Sequence, residues 1–211
     1  MTQADSKTPF GASFERAIAA IDAANAEDPS ALTYAGESRP KELLHSELAT
    51  RWVRQLEPDP SEALLLAARA HHLRRWQLPR SDYPEGRVGY LRWRKELQLR
   101  HARETGEILR AAGYDAELAD RVGDIIRKRG LGRDPDVQTL EDALCLVFVE
   151  TQLGDFAAQH PDEKVVDILL KSLTKMSERG RAAAGAIELS AAERGLLARA
   201  VAALSALSTD P

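Results

Sequence analysis

Apolar residues recur at three- and four-residue intervals along almost the whole chain, the spacing that puts them on one face of an α-helix. Phe14, Ile18 and Ile21, with Ala17 and Ala24, form the first stripe, over Phe10 to Asn25, and acids and Pro29 end it. Ser30 to Pro40 has turn composition and room for a short extended piece. Leu44, Leu48, Trp52 and Leu56 then mark a helix over Pro40 to Leu56, with His45 at the edge of its stripe. EPDPSEA is a loop that offers Asp59 or Ser61 as the next cap. The helix that follows, to about Trp76, is rich in Leu and Ala nearly all round, which marks it as central. His71 and His72 fall in its last two turns.

The second half repeats the pattern. LPRSDYPEG reads as a loop, and a long amphipathic helix runs from about Arg87 to Ala112, closed by Gly113. Asp115 caps a helix with Leu118, Val122, Ile125 and Ile126 inside. Val137 to Phe156 is the most hydrophobic segment, yet it carries Glu141 and Asp142. His160 to Glu178 follows, and Ser190 with Glu193 spells a capping box for the last helix. No alternating pattern of useful length and no internal repeat occurs. The expectation is an all-α fold, a bundle of about eight helices in one domain over residues 10–208, after a disordered stretch 1–9.

Composition changes this picture in two places. One cysteine in 211 residues excludes an internal disulfide framework and suits a reducing cytoplasm. The N-terminus lacks a signal-peptide pattern and no apolar run approaches ~18 residues, so a cytoplasmic protein with no membrane partner is expected. Charge is uneven: Arg69 to Arg103 holds ten Arg or Lys against three acids, net +7, whereas the whole chain is −4. That segment also holds three of the five histidines and two of the three tryptophans. Clustered cations concentrate phosphate or carboxylate groups, so a small anionic, phosphorylated ligand is the expected partner. A solvated helix face accounts for the charge equally well. RNA binding by the same segment is a weaker expectation, since the acidic total argues against generic nucleic-acid binding, and a homo-oligomer is left open.

An acid in an apolar helix needs a partner, because an isolated buried carboxylate loses its solvation at heavy cost. Asp142 shares a helix face with Thr139, Cys145, Leu146 and Val149, and His45, His71 and His72 are the natural partners. Together they make a candidate divalent-metal set of His45, His71, His72 and Asp142, with positions left for water. Mn, Fe, Co, Ni and Zn are not distinguished by these donors. His101, on the basic helix, is a candidate proton-transfer group. Glu141, adjacent to Asp142 and about 100° round the helix, is the other catalytic candidate. Trp76 and Trp93 read as core-edge packing and Cys145 as a small buried hydrophobe.

A histidine on one helix, a His pair ending a Leu/Ala helix and a later Asp on a buried helix resemble the HD superfamily of metal-dependent phosphohydrolases. The residues are His45, then AHH with His71 and His72, then LEDAL with Asp142, and His101 stands where many members place another histidine. The likeness spans about residues 40–150 and implies metal-assisted hydrolysis of a phosphorylated or nucleotide substrate, with Arg74, Arg75, Arg80 and Arg94 as phosphate clamps. The pattern departs from the superfamily at one point, where His72 stands in place of the dyad's aspartate. An HD-like scaffold without catalytic metal, serving as an anion- or nucleotide-binding regulatory module, is therefore the alternative. More closely, AIDAANAEDP, RPKELL, RRWQLPRSDYP, GYLRWRKEL and LEDALCLVF resemble an uncharacterised domain-of-unknown-function family of bacterial and fungal proteins, some labelled glutamyl-tRNA synthetases. The synthetase label fails on the residues: KMS at Lys175 to Ser177 lies in a helical context, with no nucleotide-binding α/β pattern around it.

Overall fold

A computed structural model gives the fold and describes residues 10–209, with side chains described to Leu207. The expected disordered stretch 1–9 lies outside the described residues. The described chain is mostly helical: α1 (Ala12–Ala26), α2 (Lys41–Leu56), α3 (Glu62–Ala70), α4 (Gly86–Ala111), α5 (Ala116–Ile126), α6 (Pro135–Thr151), α7 (Leu153–Gln159), α8 (Asp162–Lys175), α9 (Glu178–Gly185) and α10 (Ala191–Thr209). Two strands, β1 (Ala31–Tyr34) and β2 (Glu37–Pro40), are the only extended elements among these residues.

The strands pair antiparallel with Tyr34 opposite Glu37. Ala35 and Gly36 between them both have positive φ, 51° and 84°. Two consecutive left-handed residues make the mirror-image turn that matches strand twist, which is how a segment of turn composition folds as a hairpin. It is anchored from outside: Tyr34 donates to Glu150 at 2.5 Å, and Trp52 Nε1 donates to the same carboxylate at 2.7 Å.

Helix α3 is the centre. Leu64, Leu65 and Leu66 are each at most 2 % exposed, and α1, α2, α5 and α6 pack around them. Burying each leucine contributes about 1.5–3 kcal/mol, so this short helix anchors the bundle. Ser61 caps it by accepting from the Leu64 amide at 3.1 Å. Its end differs from the sequence expectation. The α-helix stops at Ala70, not near Trp76, because Arg74 takes a left-handed φ of 49° and its amide reaches the Asn25 side chain at 3.3 Å. His71 and His72 therefore lie in a tight turn, not in a helix, and a single 3-10 turn follows at Arg75–Gln77.

Two further segments break where a continuous helix was expected. Gln152 leaves helical geometry and divides the apolar run into α6 and α7. Met176 is extended and Ser177 caps a new helix, so His160 to Glu178 becomes α8 and the start of α9. The Ser190–Glu193 capping box forms, with Ser190 N donating to Glu193 at 2.7 Å. No described helix is long and apolar enough to cross a membrane.

Candidate metal and anion site

Three elements meet at one cavity of about 310 Å³: the turn after α3, helix α4 and the α5–α6 region. His71, His72 and Arg75 come from the turn, Tyr90, Trp93, Arg94, Leu97 and His101 from α4, and Lys128, Leu144 and Phe148 from the far side. The loop before α4 is held tightly enough to fix this wall. A Cβ on Gly89 would lie 1.9 Å from the Pro84 carbonyl oxygen, so only glycine permits that approach. Trp93 Nε1 donates to the Leu78 carbonyl at 2.9 Å, and the Arg75 guanidinium lies over the Trp93 ring, 4.9 Å from its centre. Arg74 and Lys128, next to the cavity on either side, are both left-handed non-glycine residues. Such conformations are held only where surrounding structure imposes them.

At one edge of the cavity Glu42, His45 and His72 place ligand-type atoms within 4.8 Å of one another. Glu42 Oε2 is 3.0 Å from His72 Nδ1 and 3.6 Å from His45 Nδ1. Glu42 and His45 are buried, while the His72 side chain is 31 % exposed. Divalent ions bind N and O donors at about 2.0–2.2 Å, so donors a little over 3 Å apart suit a shared ion. These three residues could hold a metal ion.

Hydrogen bonding tests that fit. The Thr151 hydroxyl donates to the Val147 carbonyl at 2.7 Å, so its oxygen is left to accept from His45 Nε2 at 3.5 Å. His45 Nε2 therefore carries a proton, and His45 Nδ1 faces the Glu42 carboxylate at 3.6 Å. A proton on Nδ1 or a shared metal ion would bridge this pair, so the donor set is compatible with a metal ion. His72 is bonded on both sides. Its Nδ1 donates to Glu42, and its Nε2 accepts from Arg75 Nη1 at 3.2 Å.

Burial raises the Glu42 carboxyl, but the bonds and charges of His72 and His45 outweigh it and hold the group well below the usual carboxylate range. His71 is pushed down by burial and then by neighbouring His72. Burial drives both His72 and His101 down to about 3, with Arg75 adding to each. Burial also lowers Arg75, against the pull of Glu42. The cavity thus presents His71 and His101 as uncharged imidazoles beside guanidinium and ammonium groups.

The residues singled out from sequence are distributed as follows. His45 and His72 join the metal-type cluster. His71 and His101 line the cavity beside it, their rings 4.1 Å and 6.0 Å from that of His72. Asp142 is not brought to them. Its oxygens accept from the Ser177 amide at 2.9 Å, the Ser177 hydroxyl at 2.5 Å and Gln138 at 2.9 Å, so it holds the start of α9. Its partner across the core is therefore a helix cap and not a histidine. Glu141 pairs with Lys128 and so steadies a cavity cation. Arg75 and Arg94 line the cavity. Arg74 faces Glu104 at 3.7 Å, and Arg80 donates to the Tyr83 and Pro84 carbonyls at 2.8 and 2.9 Å, clamping the loop. Burial, with Glu141 next, pushes the Cys145 thiol up to about 12, in keeping with an inert hydrophobe.

The site adds residues that the sequence argument passed over. Glu42 is the chief one, and its signal was available: in KELLHSEL it lies three positions before His45, on the same helix face. Lys128 gave no signal, since only the path of α5 brings it to the cavity.

Fold and site together define a mostly helical protein with a histidine-lined basic cavity and a carboxylate–imidazole cluster at its edge. The chain belongs to the family described as Domain of unknown function (DUF4202), whose model matches residues 15–197. No curated protein and no solved structure shows significant similarity to it.

Proposed function

We propose that this protein is a divalent-metal-dependent hydrolase of a small phosphorylated molecule, built on an HD-type scaffold in which Glu42 supplies the carboxylate that the His71–His72 pair lacks. The observation that carries this reading is the convergence of Glu42, His45 and His72, with His45 Nδ1 3.6 Å from the Glu42 carboxylate, at the edge of a basic cavity. A divalent ion held by Glu42, His45 and His72 would polarise a phosphoryl oxygen and lower the pKa of a bound water.

The chain's own groups have definite tasks in this scheme. For His72 to offer Nδ1 as a lone pair, its proton must move to Nε2. Arg75, itself a donor there at 3.2 Å, must then leave that atom and is freed for a phosphate oxygen. Arg94 offers a second guanidinium, and Lys128, held by Glu141, a point charge. Leu97, Leu144 and Phe148 add apolar lining to the cavity, which strengthens each of these charges.

Elemental analysis of protein purified without chelator tests the reading. About one divalent ion per chain is expected, lost in Glu42→Gln and His45→Ala, with metal-dependent release of phosphate from a panel of phosphate esters. Folded protein that carries no metal and hydrolyses none of the panel after metal addition refutes it.

A second reading has its own support. Without metal, Glu42, His72 and Arg75 already form a closed chain of hydrogen bonds and charge. In that form the cavity is an anion-binding module, and phosphate protects the protein against unfolding with no metal present.

A further inference from the structure

We propose that the cavity's ligand is a hydroxyl-bearing phosphate ester, a sugar phosphate in chemical class, and that His101 Nε2 accepts a hydrogen bond from one of its hydroxyls. This rests on the phosphate reading above and adds what else the ligand must carry. His101 is only 2 % exposed, and its Nδ1 lies 2.9 Å from the Leu73 carbonyl. A carbonyl only accepts, so the Nδ1 proton is fixed and Nε2 presents a lone pair. That Nε2 is buried and has no hydrogen-bond partner, although the ring stands on a wall of the cavity. A buried acceptor without a donor is costly, so a site that keeps one is built to receive a donor. His71 is tied in the same way, through Nδ1 to the Ala68 carbonyl at 2.8 Å.

The chemistry of the donor follows from its neighbours. An ammonium group would be repelled by Arg75, Arg94 and Lys128, which share the cavity. A neutral hydroxyl is not repelled, and the same cations draw an anionic group to the other end of the molecule. The cavity of about 310 Å³ corresponds to roughly ten water volumes, a scale that admits a pentose or hexose phosphate.

The test compares ligands that share the phosphate and differ in hydroxyls. Affinities of the full chain as purified are measured by calorimetry for ribose 5-phosphate, glucose 6-phosphate, pentyl phosphate and inorganic phosphate. At least one sugar phosphate is expected to bind about tenfold or more tighter than pentyl phosphate. Two substitutions keep the result interpretable. His101→Asn keeps a donor for the Leu73 carbonyl but removes the outer acceptor, so the preference should fall below about threefold, with inorganic phosphate affinity retained. His101→Gln keeps an acceptor near the Nε2 position and should retain most of the preference. Nitrogen-15 NMR should show the His101 Nε2 resonance moving with the sugar phosphate and not with inorganic phosphate. Equal affinity for sugar and pentyl phosphates, or a preference that survives in His101→Asn, overturns the proposal and leaves the phosphate reading standing. Failure of every phosphate, inorganic phosphate included, to bind overturns both.

Discussion

Replacing Asp142 separates a structural carboxylate from a metal ligand. The side chain is fully buried and accepts three hydrogen bonds, two from Ser177 and one from Gln138. Its carboxyl group also packs against Gly180, where an added Cβ would come within 2.6 Å of it. Truncation to alanine leaves the Ser177 amide and the Gln138 amide without that acceptor. Bonds to charged groups contribute about 1.5–3 kcal/mol each, and bonds within one network do not add fully. The expected loss is therefore about 3–5 kcal/mol, a large share of the 5–15 kcal/mol typical of a domain. Asp142→Asn keeps the volume and one acceptor, and about 1–2 kcal/mol should be lost. The assay is urea unfolding followed by circular dichroism. With a slope of about 2–3 kcal/mol per molar, the alanine variant's midpoint should fall by more than about 1 M. Metal content, measured on the same folded asparagine variant, should equal that of the wild type. A folded Asp142→Asn protein with wild-type stability and no metal would refute the reasoning, since it would place Asp142 at the metal after all.

Other consequences are as direct. Gly89→Ala should destabilise by about 2–3 kcal/mol, because the new Cβ meets backbone at Pro84 and not a movable side chain; its near-ultraviolet spectrum should change as Trp93 is displaced. Acid should weaken the metal-free fold through His101, whose pKa lies near 3 when folded against an ordinary 6.5 when unfolded. Its contribution is complete above pH 6.5 and is lost progressively as pH falls toward 3, about 2 kcal/mol by pH 5; denaturation with chelator at pH 7 and pH 5 should show a difference about 2 kcal/mol smaller in His101→Gln than in the wild type, the share of His71 and His72 remaining. Arg75→Met should weaken phosphate binding by about tenfold or more through loss of a paired guanidinium donor, read by calorimetry. Glu141→Gln removes the partner of Lys128, and phosphate affinity should shift with it by about two- to fivefold.

The helical character of this protein was legible from local pattern, because a helix is specified by neighbours three and four positions apart. Asp115 and Ser190 were readable as caps for the same reason, and Ser61 as one of two candidates with Asp59, each bonding to an amide within three residues. The importance of the α3 region was legible too, in a run of Leu and Ala too apolar to lie anywhere but the centre. The breaks were harder. Nothing near Arg74 announces a left-handed residue, which depends on Asn25 some fifty positions away. Likewise the chain leaves helical geometry at Met176, and Ser177 bonds with Asp142, a contact that the sequence does not encode locally.

The site divides along the same line. By itself the sequence determined which chemistry was present: a basic segment, three clustered histidines, His45 one helix earlier and two acids in an apolar helix. Only the tertiary structure decided which of these meet. A buried carboxylate must find a donor, but the pattern cannot say which one. Asp142 found the amide end of α9, whereas Glu42, one helical turn before His45, found His45 and His72. Helical periodicity is a short-range property, and it fixes which residues face inward. The pairing of inward-facing polar groups depends on how helices cross, which only the packed chain decides.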